Sequence, residues 1–215
     1  DYYGAPVAAY YGTKKACEPV QLIYNYKDSH VYLVNEGLFA GDVVANVKVY
    51  DDASALLCEE TKTVATSYRN TADVFDLGKF DGKPHFVALE IKDAEGNFVA
   101  DNFYCIAAQR NVYDFEESTW YDSPITSYSD LRIAFAQPKA QISMQVTYAD
   151  GVYTVAVTNN SEYISYMNIL KAKDAEGNLV TPAYWSDNFF PLLPGQTKTV
   201  TCKVAKKGLT VELDA

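Results

Sequence analysis

Apolar and polar residues alternate with a period of two along most of this chain, which is the pattern of strands with one buried face. The alternation is clearest in residues 41–50, where small apolar residues fall on one face and Asn46 and Lys48 fall on the other. It recurs at 86–91 and 98–107, and turn-forming residues interrupt it about every 8–12 residues. Roughly seven short strands of this kind predict an immunoglobulin-like sandwich in the first half.

One segment departs from this alternation. Residues 4–16 contain strong helix formers and a proline suited to a first helical turn. Val7, Tyr10 and Tyr11 are spaced as on one helix face. We therefore predict a short amphipathic helix ahead of the strands, and such a helix needs a surface to pack on.

The second half of the chain repeats the plan of the first. The hexapeptide Lys-Asp-Ala-Glu-Gly-Asn stands at 92–97 and again at 173–178, and Asp-Asn-Phe follows each copy, at 101–103 and 187–189. These duplications predict two sandwiches of related design. The second sandwich is predicted to open with a strand at 131–135, followed by strands at 139–148, 151–158, 164–173, 178–190, 196–205 and 208–213.

The predicted fold class is therefore all-β: two tandem immunoglobulin-like β-sandwiches preceded by a short N-terminal helix. The polar stretch between the sandwiches, which carries isolated aromatic residues, reads as a connecting segment. The predicted segments are a helix at 1–18, a first sandwich at 19–110, a linker at 111–130 and a second sandwich at 131–215.

Charge excludes some partners. The chain carries 18 Lys and Arg against 28 Asp and Glu, a net charge of −10. Nucleic-acid binding needs clustered basic residues, so this balance argues against that partner. No stretch reaches the roughly 20 apolar residues of a membrane helix, and we therefore predict no membrane partner.

Metal and cofactor sites are not predicted. The four cysteines Cys17, Cys58, Cys105 and Cys202 lack paired zinc-ligand spacing, and only two histidines are present. The cysteines allow three disulfide pairings, but buried free thiols are the simpler expectation. The duplicated Asp-Ala-Glu-Gly-Asn loops offer oxygen ligands for calcium, yet too few for a twelve-residue binding loop, and glycine turns explain them.

The candidate functional residues lie in two stretches of the sequence. In WSDNFFPLLPGQT (185–197), Trp185 and two phenylalanines flank Asp187 and Asn188. This pattern predicts a strand that breaks at a proline corner and returns as an antiparallel partner. The Asp-Asn pair either contacts sugar hydroxyls or fixes the corner by bonds to the backbone. Trp120 and Tyr121, in the connecting segment, are the other aromatic candidates for stacking on a sugar.

These stretches carry a family resemblance. WSDNFFPLLPGQT resembles the final immunoglobulin-like domain of family 2 glycoside hydrolases, in particular the exo-β-D-glucosaminidase and β-mannosidase branch. Trp120-Tyr121 and Pro124 resemble the connecting segment of the glucosaminidase branch. The segment YYGAPVAAYYGTKKACEPV (2–20) is similar to the last helix of the catalytic (β/α)₈ barrel and its exit.

The resemblance implies a partner and a role. Segment 1–18 would be the terminal helix of an upstream (β/α)₈ barrel of the same polypeptide, and a polysaccharide or oligosaccharide would be a second partner. The crowded N-terminal tyrosines would then meet that barrel rather than a glycan. The parent would be secreted or periplasmic, as the family's polysaccharide substrates imply.

Three functional hypotheses remain open from sequence. The first is a non-catalytic accessory region of a glycoside hydrolase acting on β-linked sugars, which supports the barrel and borders its substrate cleft. The family's two catalytic glutamates belong to the barrel, and no position here matches them, so no catalytic residue is assigned. The second is a carbohydrate-binding module that uses exposed aromatic residues. The third is an independent pair of interaction domains, with the N-terminal helix packed on a sandwich.

Overall fold

A computed structural model describes residues 1–214, which form two compact units. The first sandwich unit comprises residues 18–136. The second sandwich unit comprises residues 137–214 together with residues 1–17. The predicted linker at 111–130 thus groups with the first sandwich, and the N-terminal helix groups with the second.

The first sandwich unit contains one three-stranded and one four-stranded antiparallel sheet, with strand orders β1-β2-β5 and β4-β3-β6-β7, and a separate hairpin β8-β9. Its strands are β1 Val20–Asn25, β2 His30–Asn35, β3 Gly41–Asp51, β4 Leu56–Thr66, β5 Asn70–Asp76, β6 His85–Asp93, β7 Phe98–Ile106, β8 Val112–Tyr113 and β9 Ile125–Ser127.

The alternation that predicted these strands also builds their core. On β3, the apolar positions Val43, Val47 and Val49 are fully buried, whereas the polar positions between them keep partial contact with water. Leu33 on β2 joins the same apolar cluster from the opposite sheet. Because side chains of successive strand residues point to opposite faces, one alternating sequence supplies the inner face of each sheet.

The second sandwich unit has the same two-sheet design, with strand orders β10-β11-β15-β13 and β14-β12-β16. One cluster of buried apolar residues draws on both sheets. The all-β prediction with two immunoglobulin-like sandwiches is confirmed. The elements are α1 Ala8–Ala16, β10 Ile142–Ala149, β11 Val152–Asn159, β12 Ser165–Lys173, β13 Tyr184–Trp185, β14 Phe190–Leu192, β15 Thr197–Lys203 and β16 Thr210–Asp214.

Two predicted strands are wrong. Residues 131–135 do not open the second sandwich; Arg132–Ala134 forms a 3₁₀ turn in the first unit, with Ile133 and Ala134 buried. The predicted strand at 178–190 is only the two short strands β13 and β14. Phe189 has a φ of 56°, in the left-handed region, so a continuous strand cannot pass through it.

The duplicated hexapeptides form the same turn at different places in the two sandwiches. In both, glycine has a positive φ, at Gly96 and Gly177, and its N–H donates to the aspartate carbonyl at 3.0 Å. The first copy follows β6, the sixth strand of its unit, whereas the second follows β12, the third strand of its unit. The repeated sequence therefore marks a common turn and not equivalent positions.

Two buried asparagines reveal the actual correspondence between the sandwiches. Asn35 ends β2 and Asn159 ends β11, the second strand of each unit, and both are fully buried. Each accepts a bond from the N–H two residues later and donates to the carbonyl four residues later. The next residue in each case donates to the carbonyl before the preceding strand, Pro19 or Gln141. The sandwiches share this corner, which sequence reasoning missed.

Candidate functional site

The stretch 185–197 crosses from one sheet of the second unit to the other. Trp185 lies opposite Cys202 in the β13–β15 pair, and Phe190 lies opposite Asn168 in the β12–β14 pair. The proline corner therefore does not return as the antiparallel partner that the sequence predicts, because β14 and β15 belong to different sheets. Trp185 is 7% exposed and belongs to the core.

At this crossing, the Asn188 side chain bonds to the backbone of β12 as a neighbouring strand would. Its Oδ1 accepts a bond from the Leu170 N–H at 2.7 Å, and its Nδ2 donates to the Leu170 carbonyl at 2.9 Å. Oδ1 also accepts the Phe189 N–H at 3.0 Å. The side chain is 5% exposed, so these bonds satisfy backbone groups that water cannot reach.

Asp187 gathers positive charge from two elements. Its Oδ2 lies 2.7 Å from the Lys198 ammonium on β15 and 3.5 Å from the Lys15 ammonium on α1. Its Oδ1 accepts the Asn188 N–H. The neighbouring Lys14 donates to the Ser186 carbonyl. The crossing segment therefore holds the N-terminal helix against the second sandwich.

An aromatic contact completes this attachment. Tyr11 is buried, and its ring lies 5.9 Å from that of Phe189. Burial raises the pKa of the Tyr11 hydroxyl to about 12, against a bond with Asn188 that lowers it. The predicted helix face is only partly correct, since Val7 and Tyr10 are exposed. We name Tyr11, Lys15, Asp187, Asn188 and Phe189 the helix clamp.

The structure thus separates the five predicted sugar-contact residues into two groups. Trp185, Asp187 and Asn188 are used in packing, ion pairs and backbone bonds of the second unit, and Trp185 offers no free face for stacking. Trp120 and Tyr121 lie instead in the first unit, 93% and 74% exposed. The structure therefore does not bring the five residues together into one site.

Several carboxyl groups of this chain have a lowered pKa. A glycosidase acid keeps a raised pKa, but bonds to backbone and side-chain donors lower the pKa of the Asp28, Asp93 and Asp174 carboxyls. Bonds from Arg132 lower that of Asp130 to about 2. Within residues 1–214, no group of three or more His, Cys, Asp or Glu is placed to hold a metal ion.

Two shallow grooves, each about 520 Å³, mark the described surface. One lies on the outer face of β1-β2-β5 and is lined by residues that include Tyr26, Tyr32 and Val34. The other is lined by residues that include Tyr148 and Leu209. Neither lining contains an Asp or Glu, so neither offers the carboxylate pair of a glycosidase.

All four cysteines carry free thiols, but the expectation that these thiols are buried is wrong for three of them. Only Cys202 is buried, whereas Cys58 and Cys105 are half-buried and Cys17 is exposed. Burial raises the pKa of the Cys105 and Cys202 thiols to about 11. Among residues 1–214, no helix is both long and apolar enough to cross a membrane.

These observations first define the class: an all-β chain of two tandem immunoglobulin-like sandwiches, whose second unit clamps an N-terminal helix. Residues 120–215 match the family model described as the exo-beta-D-glucosaminidase Ig-fold domain. That part of the chain is similar to this family, and the chain as a whole is similar to regions of exo-beta-D-glucosaminidases.

Curated relatives are similar in sequence to nearly the whole chain. An exo-beta-D-glucosaminidase of Arthroderma benhamiae is 29% identical over 199 residues, which are 90% of this chain and 23% of the relative. The enzyme of the same name from Streptomyces avermitilis is 28% identical over 94% of this chain and 24% of its own length. The chain therefore spans about a quarter of the length of these curated relatives.

Solved structures show the same fold. The crystal structure of the exo-chitosanase of Amycolatopsis orientalis has a TM-score of 0.88 and 25% identity, and covers 99% of this chain and 27% of that one. A beta-D-mannosidase from Dictyoglomus thermophilum has a TM-score of 0.67 at 14% identity, which shows the fold alone.

Proposed function

We propose that this chain is a non-catalytic accessory region of a glycoside hydrolase acting on β-linked sugars, and that it supports the catalytic barrel and borders its substrate cleft. The observation that carries this proposal is similarity over about nine-tenths of the chain to exo-β-D-glucosaminidases of which it spans only about a quarter. The catalytic barrel of the same polypeptide is then the principal partner, and we place the parent enzyme in the periplasm or outside the cell.

The site geometry supports the accessory role. Glycosidic cleavage requires two carboxyl groups roughly 5–10 Å apart that face one bond, with the proton donor at a raised pKa. In this chain the shifted aspartates are held in their charged form by turn and ion-pair bonds. The helix clamp uses Asp187 and Asn188 for internal contacts, which is architecture rather than substrate binding.

The test is hydrolysis by the purified chain. We expect no release of p-nitrophenol from p-nitrophenyl β-D-glucosaminide or β-D-mannoside, although circular dichroism shows a folded β protein. Turnover above the buffer rate would refute the accessory role. In the longer polypeptide, we expect deletion of residues 18–214 to lower the unfolding temperature of the catalytic barrel, and an unchanged temperature would refute the supporting role.

A second candidate function is carbohydrate binding. It is favoured by one observation, the exposure of Trp120 and Tyr121 side by side on a loop of the first unit. Such binding is compatible with an accessory region, because a sugar-binding surface outside the catalytic barrel holds a polymeric substrate near the cleft.

A further inference from the structure

One side of the second sandwich unit is open. Sheet β10-β11-β15-β13 ends at β10 and sheet β14-β12-β16 ends at β16, and within residues 1–214 no strand pairs with the free edge of either. The groove of about 520 Å³ that includes Tyr148 and Leu209 lies on this side, and its lining also includes Val146 and Val211. We name the two free edges and this groove the open seam.

The buried asparagine corners define which strands of the two units correspond. Asn35 lies opposite Val20 in the β1–β2 pair, and Asn159 lies opposite Ile142 in the β10–β11 pair. β10 is therefore the counterpart of β1, and β11 is the counterpart of β2. In the other sheet of each unit, β3 lies between β4 and β6, and β12 lies between β14 and β16. β16 is therefore the counterpart of β6.

In the first unit, β7 occupies the side that corresponds to the open seam. It pairs antiparallel with β6, and its side chains contact β1. The Asn102 amide donates to the Leu22 carbonyl at 3.3 Å, and the Tyr104 ring lies 5.7 Å from that of Tyr24. Ala100, on the same strand, is buried in the core. β7 thus covers the inner face of β1.

The burial of equivalent side chains reflects this difference. Leu22 and Tyr24 on β1 are buried, whereas their counterparts by register, Met144 and Val146, are half-buried and 41% exposed. Strand β10, Ile142–Ala149, also contains no charged residue and no proline, although natural sheets commonly use such residues to keep free edges from pairing. The open seam therefore has the features of a surface that accepts an added strand.

Charge at the seam selects the kind of strand. Glu212 and Asp214 lie on the outer face of β16 and keep 45% and 61% of their side-chain surface exposed beside the lysines they pair with. A second copy pairing through β16 would place the same carboxylates next to them, and each copy carries a net charge of −10. Like charges on neighbouring strands are destabilising, and opposite charges are stabilising. A strand with basic outward residues and apolar inward residues fits this edge best.

We propose that the open seam binds an extended segment of a partner protein as an additional β-strand, antiparallel to β16, in the place that β7 has in the first unit. Alternate apolar side chains of the segment cover Val146 and Val211, and the Lys or Arg side chains between them lie beside Glu212 and Asp214. Backbone bonds to the free edge of β16 supply the rest of the interaction. This binding role goes beyond the accessory role and does not depend on it.

Hydrogen–deuterium exchange of the whole chain with a synthetic peptide tests the proposal without a variant. The probe is a peptide of alternating lysine and valine with nine residues, the length of β7. We expect saturable binding and slower amide exchange in β10 and β16. Exchange in β4, an edge strand of the first unit, should be unchanged.

Two control peptides separate strand pairing from charge attraction. In the first, two adjacent central residues are proline, which cannot donate backbone bonds to a neighbouring strand. In the second, glutamate replaces lysine, which places like charges beside Glu212 and Asp214. By calorimetric titration, we expect each control peptide to bind at least about tenfold more weakly than the probe.

A pair of matched variants locates the site. Val146→Lys places an ammonium group in the groove and should weaken binding of the probe about tenfold, because the apolar contact is lost and the charges repel. Leu179→Lys changes a residue of similar exposure elsewhere in the second unit and should leave binding unchanged. Circular dichroism checks that both variants are folded.

Several results would overturn the proposal. They are the absence of saturable binding, equal binding of either control peptide, slower exchange in β4 instead of the seam strands, and equal effects of the two variants. A dimer of the chain alone, detected by sedimentation and accompanied by slower exchange in β16, would make a second copy the occupant and would also overturn it. None of these results bears on the accessory role, which hydrolysis by the purified chain tests.

Discussion

Removal of the Asn188 side chain tests whether the helix clamp has the structural role assigned to it. Asn188→Ala leaves the N–H and the carbonyl of Leu170 without partners in a buried environment. Each unsatisfied buried group costs about 1–3 kcal/mol, so the loss of two partners should lower the free energy of unfolding by about 2–6 kcal/mol. For a unit of about 100 residues this corresponds to a loss of at least about 8 °C in Tm.

Differential scanning calorimetry measures that shift, and hydrogen–deuterium exchange shows where it acts. We expect faster exchange in α1, β12 and β14 and unchanged exchange in the first sandwich unit, which serves as an internal control. The matched variant is Asn160→Ala, an exposed asparagine of the second unit whose Nδ2 donates to the Ser143 hydroxyl. It should change the stability by no more than about 0.5 kcal/mol.

The reasoning fails if Asn188→Ala costs no more than Asn160→Ala. It also fails if exchange accelerates equally in both sandwich units, because the lost bonds lie within one of them. A large destabilisation restricted to the second unit would show that hydrogen bonds to the backbone fix the geometry of the Asp-Asn pair without any ligand.

Three further predictions concern titration and reactivity. Burial lowers the pKa of His85, so its effect on stability is absent above the unfolded pKa of about 6.5, and the free energy of unfolding falls as the pH drops below that value. His85→Phe should reduce this fall at acid pH, as measured by urea unfolding at a series of pH values. A bond with Asp73 raises the pKa of His30, so the stabilisation of the folded state by this bond is full below about pH 6.5 and is lost as the pH rises through the raised pKa. Asp73→Asn should therefore destabilise the protein more at acid than at alkaline pH. An equal loss of stability at both pH values would contradict this prediction. A thiol reagent should modify exposed Cys17 at once and buried Cys202 only on unfolding, and mass spectrometry of the labelled peptides would expose the opposite order.

The predictability of the site differed sharply between its residues. The stretch 185–197 was recognisable from its aromatic and Asp-Asn pattern, but the pattern was compatible with both a sugar-binding and a structural interpretation. The partner of Asn188 is the backbone of Leu170, 18 residues earlier, and no local spacing indicates it. Likewise, the charge partners of Asp187 come from α1 and β15, which meet only in the folded unit.

The repeated peptides show the same difference between local and tertiary information in the fold. The hexapeptide repeats because Asp-x-x-Gly is a local solution for a tight turn, and its geometry depends on neighbouring residues only. It was therefore predicted correctly as a turn but incorrectly as a marker of equivalent positions. The true equivalence, Asn35 with Asn159, consists of single residues whose shared bonds appear only once the strands are paired.

The sequence by itself determined most of the strands, because a period of two fixes which side chains of a strand face the core whatever the strand's partners. It also determined the turns and the absence of basic clusters. The tertiary structure alone decided which of two tryptophans is buried. Trp185 pairs into a sheet opposite Cys202, and Trp120 stands on a hairpin tip closed by polar bonds. Burial depends on what packs against a residue, and that is set by contacts between segments distant in the chain.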